Sequence, residues 1–85
     1  MDYVIVAFRS RAHTIRFANV FKESGFALEI VNTPKEAGVG CGLSVKIRKE
    51  SFLSAKKMVL KLALSSFAGF FLVSEFNNKR IVRTI

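Results

Sequence analysis

Leu43-Ser44-Val45-Lys46-Ile47-Arg48 alternates apolar and polar residues without a break. That is the pattern of a strand with one face on a core and the other toward water. What flanks it decides the fold. Upstream, Ala27-Leu28-Glu29-Ile30-Val31 reads as another strand, with Leu28 and Ile30 on one face. Pro34 stops it, because the residue before a proline is pushed to extended geometry. Residues 35–42 are then a loop with room for one helical turn. Downstream, Phe52, Ala55, Val59, Leu62 and Ser66 recur at helical spacing, with Lys56, Lys57 and Lys61 on the other side. This helix is expected to start at a Ser51 cap, run to about Phe67 and stop at Gly69.

Farther out, Tyr3 to Phe8 is an apolar run that reads as a buried strand. Ser10 offers an N-cap oxygen, and Ala12, Ile15, Ala18, Val20 and Phe21 follow at helical spacing. Gly25 ends that helix, with Phe26 placed to close it hydrophobically. Phe70 to Phe76 is a strand whose Phe70-Phe71-Leu72-Val73 portion is apolar on both faces. Asn77-Asn78 makes a tight turn, since Asn tolerates positive φ, and Arg80 to Ile85 returns antiparallel. The order β-α-β-β-α-β plus a terminal strand predicts a ferredoxin-like α+β sandwich with both helices on one face. At 85 residues the chain is expected to be a single domain, 1–85.

One cysteine and one histidine exclude an internal disulfide and argue against a metal centre; no cofactor is expected. An unpaired thiol fits a reducing cytoplasm. The N-terminus lacks the basic segment and long apolar run of a signal peptide. The uncharged stretch from Leu62 to Ser74 is shorter than the roughly 20 residues a membrane helix needs. Fourteen Lys and Arg against six Asp and Glu give a net charge of +8, which suits nucleic acid, an anionic membrane or an acidic protein face. The basic residues are scattered, so there is no basic arm. The acids are few and spread out, so no paired-carboxylate catalytic site is expected.

Cys41 lies in Thr33-Pro34-Lys35-Glu36-Ala37-Gly38-Val39-Gly40-Cys41-Gly42. Gly38, Gly40 and Gly42 shield a sulfur poorly and allow turns whose inward N–H groups hold anions. A thiolate or persulfide is such an anion. Lys35 and Lys46 would favour it, since nearby positive charge lowers a thiol's pKa. Glu36 would oppose it if it faces inward. A free cysteine is also among the most buried residue types, so a structural role for Cys41 stands beside the reactive one. His13, in the first turn of the first helix, reads as exposed and structural.

Phe8, Gly25, Thr33-Pro34-Lys35 and Cys41-Gly42 together resemble a family of small bacterial domains described as selenium/sulfur carrier-like proteins. The likeness runs from Asp2 to about Glu50, and the Phe- and Lys-rich second half matches it less well. The resemblance implies that Cys41 bears sulfur or selenium as a persulfide- or selenide-type group. Pro34, Lys35 and Gly42 would shape its loop. Members usually place serine-type residues before the cysteine, whereas this chain has Gly38-Val39-Gly40, leaving anion stabilisation to backbone N–H groups. The partners implied are a cysteine-desulfurase-like donor and an acceptor protein. The alternatives are a basic nucleic-acid-binding module or a protein-interaction module with a structural Cys41. The two apolar faces of the Phe70–Val73 strand predict a homodimer.

Overall fold

The computed structural model describes residues 1–40 and 42–85. Its elements are β1 (Asp2–Phe8), α1 (Arg11–Glu23), β2 (Leu28–Asn32), β3 (Leu43–Arg48), α2 (Phe52–Leu62), β4 (Phe67–Phe76) and β5 (Lys79–Thr84), with 3-10 turns at Lys35–Ala37 and Lys49–Ser51. The five strands form one sheet in the order β2-β3-β1-β4-β5, and every neighbouring pair is antiparallel. The chain is therefore a mixed α+β protein of five strands and two helices.

Alternation along the central strand sorts its side chains into two clusters. Val4, Val6 and Phe8 pack with Phe17, Phe21, Ala55 and Phe70 under the helices. Tyr3, Ile5 and Ala7 join Phe71 and Val73 on the opposite face. The expected double-faced β4 is thus present.

Ser10 caps α1, accepting a hydrogen bond from the His13 N–H. Gly25, at φ +96, ends it, and Phe26 stacks on Phe21 with ring centroids 4.4 Å apart. The buried stripe of α1 differs from the expected one: it is Thr14, Phe17, Ala18 and Phe21, while Ile15 is 43% exposed. Thr14 qualifies because its hydroxyl donates to the carbonyls of Ser10 and Leu43, so its burial leaves no polar group unsatisfied.

The second helix is shorter than its apolar spacing predicts. It ends at Leu62, with Ala63 left-handed at φ 49, and β4 begins at Phe67. Ser66 has other partners: its hydroxyl meets Ser10 N–H and His13 Nδ1, and its carbonyl accepts from Arg9 N–H. Phe67 pairs with Phe8 across the sheet. Gly69 is therefore not a helix stop. It lies inside β4 at φ +144, where the register slips against Ala7 and Phe8, a bulge position suited to glycine. The Asn77-Asn78 turn has φ 50 and 61, matching the two positive values of a type I′ hairpin. Among the described residues, no helix is long and apolar enough to cross a membrane.

Candidate functional site

The loop between β2 and β3 is built from its base. Thr33 N–H donates to the Gly42 carbonyl at 3.0 Å, and its hydroxyl meets that of Ser44 at 2.7 Å. Ser44 is fully buried, so this hydroxyl pair fixes where the chain leaves the sheet and where it returns. Pro34 is buried and opens the 3-10 turn, whose bonds run from Ala37 N–H to the Pro34 carbonyl and from Gly38 N–H to the Lys35 carbonyl. Gly38 closes the turn in the left-handed region at φ 67, as a residue without Cβ does most easily. Gly40 and Gly42 lie outside that region and are exposed, with open space where a Cβ would point. Of the three glycines, only Gly38 is required by backbone turning.

From that base the loop crosses the sheet face that the helices leave open. Ala37 and Val39 pack against the cluster of Tyr3, Ile5, Ala7, Phe71 and Val73. Glu36 reaches Arg80 on β5, at the opposite edge of the sheet from β2, and accepts from Nη2 at 2.9 Å and Nε at 3.1 Å. Four strand spacings separate those edges, about 19 Å. Cover for the apolar face of β4 thus comes from the chain itself.

Glu36 would oppose a thiolate only if it faced inward; here it is exposed and turned to Arg80. Its carboxylate is engaged by Arg80, whose hydrogen bonds hold the acid below its ordinary pKa of 4.5. A depressed carboxylate pKa contributes stability that is present above the unfolded value and is lost as pH falls through the folded one. The clasp is therefore expected to be intact above pH 4.5 and to release below it. Amide exchange at Ala37 and Gly38, corrected for intrinsic rates, should accelerate in that window. Arg80→Ala should give the faster exchange above pH 4.5, the difference closing as the native clasp releases at lower pH; a protection profile unchanged by that substitution would contradict the clasp.

The other expected site residues fall as follows. Cys41 lies outside the described residues. Lys35 is exposed on the 3-10 turn next to Glu36. Lys46 sets its ammonium 4.3 Å from the centroid of the Tyr3 ring, a cation–π contact on the open face. Burial, followed by the Glu75 charge, raises the Tyr3 hydroxyl above its ordinary pKa. His13 is half-buried and tied to Ser66, with Nδ1 and Oγ 2.6 Å apart. Among the described residues, no group of His, Asp and Glu could hold a metal ion.

Two features were not anticipated. The Glu36–Arg80 clasp joins residues 44 apart in sequence, and no local pattern announces it. The Thr14–Leu43 contact ties the return limb of the loop to the first turn of α1. A polar residue in the middle of the apolar stripe of α1 was its one visible trace.

Neither a curated protein nor a solved structure matches this chain. Residues 2–65 match the family described as "Putative Se/S carrier protein-like". That span takes in β1, α1, the whole Thr33–Gly42 loop, β3 and α2, reaching farther along the chain than the motif residues do. With the elements that frame the loop all inside the match, the chain belongs to the Se/S carrier protein-like family.

Proposed function

We propose that this chain carries sulfur, or selenium at the same oxidation level, on Cys41 between a desulfurase-type donor and an acceptor protein. The observation that carries the reading is the loop. Its base is pinned by Thr33 and Ser44 and its far side by Glu36 and Arg80, while both residues flanking Cys41, Gly40 and Gly42, are exposed. A transferable thiol needs such a setting: a fixed approach path with little bulk around it.

In the transfer, the Cys41 thiolate attacks the outer sulfur of a donor persulfide. The donor's S–S bond breaks, its own sulfur leaves as thiolate, and Cys41 holds the new persulfide. One anion enters and one leaves, so no external oxidant or reductant is required. Delivery reverses the roles: an acceptor nucleophile takes the outer sulfur and Cys41 departs as thiolate. On this reading the chain is a transfer module and not a turnover enzyme. Pro34, Lys35, Gly38, Gly40 and Gly42 set the loop and its N–H groups. We also read the strand order as ferredoxin-like, with β5 added beside β4 and residues 1–85 forming one domain. The antiparallel register and the two helices on one face support that reading.

The test is loading by a cysteine desulfurase and free cysteine, followed by intact mass. The native chain should gain one sulfur atom and Cys41→Ser none. Loading that persists in Cys41→Ser would refute the proposal. So would slow alkylation of Cys41 with an apparent pKa at or above the ordinary value of about 8.5.

A further inference from the structure

We infer that the loop-bearing end of the molecule is a docking surface for an acidic rim on a partner protein; the partner class rests on the carrier reading. The observation is a sorting of charge along the strand axis. At one end β1 runs into α1, β2 into β3 and α2 into β4. That end presents Arg9 and Arg11, both exposed, and Lys61 in the last turn of α2, beside the Thr33–Gly42 base of the loop. No acidic side chain lies there.

The acids are elsewhere. Asp2 pairs with Ser74, and Glu75 N–H bonds the Met1 carbonyl, both at the opposite end. Glu23 closes α1 and Glu50 precedes α2, also at that end. Glu29 sits within the sheet opposite Lys46, and Glu36 is held by Arg80. Basic residues show no such sorting, since Lys22, Lys49 and Lys79 share the acidic end. Only the carboxylates are absent from the loop-bearing end; the one on the loop itself, Glu36, is turned away to Arg80.

The first turn of α1 adds a second line of argument. A helix N-terminus carries partial positive charge and is stabilised by acids in its first turn. Here that turn contains none and opens with Arg11. Arg11 forms no ion pair among the described residues. Departures from local stability rules gather at functional or strained sites. Positive potential there would steer an acidic partner onto the loop and set its orientation.

A second copy meeting it through the same end is disfavoured by like charge. Nucleic acid is disfavoured because single-stranded bases stack on exposed aromatic rings. Phe8 at this end is fully buried, and Phe76, 53% exposed, lies at the other.

A fluorescein-labelled Glu-rich peptide is the probe, titrated into the native chain and into Cys41→Ser and mapped by amide chemical shifts. Both should show one footprint, at Arg9–His13, Thr33, Gly42 and Lys61–Ala63. Binding should weaken about tenfold or more between low and roughly 0.3 M salt. Arg11→Glu should weaken it at least about tenfold, yet leave Tm unchanged or raised by about 1–4 °C, since the new acid suits the helix terminus. A footprint elsewhere, or affinity indifferent to Arg11→Glu, would overturn the inference. Tighter binding of an oligo-dT probe on the same footprint would overturn it in favour of nucleic acid. Persulfide loading without a footprint defeats the docking surface alone. A footprint without loading defeats the carrier reading alone.

Discussion

Phe8→Ala is expected to destabilise the fold by roughly 3–5 kcal/mol, the range for removing a fully buried phenylalanine ring. Phe8 is completely inaccessible, and its ring lies 5.5 Å from that of Phe17 and 5.6 Å from that of Phe67. It thus joins β1, α1 and the start of β4 at one point. The void could not collapse easily, because each neighbour is itself anchored in an element. Domains of this size hold about 5–15 kcal/mol in total, so the loss is about a fifth of the whole or more. Urea denaturation should show a lower midpoint with an unchanged slope. Phe76→Ala is the control, since that ring is 53% exposed, and it should move stability by no more than about 0.5 kcal/mol. Equal effects of the two substitutions would mean that Phe8 is not where the core is held. Phe8 directly precedes Arg9 and the Ser10 cap, so the same substitution should loosen the loop-bearing end first.

Where the residues speak through periodicity, the fold was legible. The alternation of Leu43–Arg48 gave β3 its observed bounds, and Ser10, Gly25 and Asn77-Asn78 marked caps and turns through chemistry that acts within a few residues. The misreadings share a cause: tertiary partners outweighed a local pattern. Ser66 continues the apolar spacing of α2, but hydrogen bonds to Ser10 and His13 claim it. Gly69 looks like a helix stop because a strand bulge leaves no signature beyond the glycine itself. Ile15 has the spacing of a core residue, yet the buried face of α1 is set by Thr14, Phe17, Ala18 and Phe21, and Ile15 stays partly in solvent.

The site was legible as a segment but not as a geometry. Thr33, Pro34 and Gly38 could be singled out, because proline and glycine restrict or free the backbone wherever they stand. That the loop lies across the open sheet face could not be read. It depends on Glu36 meeting Arg80, and on Ala37 and Val39 finding the Tyr3, Ile5 and Phe71 side of the sheet. Nor could the place of Lys46 be read: its ammonium rests over Tyr3, a ring of the cluster that Ala37 and Val39 cover.

The hydroxyl pair at the loop base predicts a non-additive double-mutant cycle. Thr33→Val leaves the Ser44 hydroxyl, completely buried, without its partner at 2.7 Å, and should cost about 1–3 kcal/mol. Ser44→Ala removes the buried group and leaves a half-buried Thr33 hydroxyl within reach of water, so it should cost about 0.5–1.5 kcal/mol. The double substitution deletes both ends of one bond, and replacing both partners by apolar groups approaches neutrality. Its cost should therefore fall short of the sum by about 0.5 kcal/mol or more. The loop should report the same cycle. Because Thr33 also bonds Gly42 through its backbone, exchange of the Thr33 amide should quicken in Thr33→Val, and the alkylation profile of Cys41 should shift with it. Strict additivity would show that the two hydroxyls share no bond of consequence. The Thr33–Gly42 backbone bond alone would then hold the base, and threonine at that position would matter to the loop only for its extended backbone before Pro34.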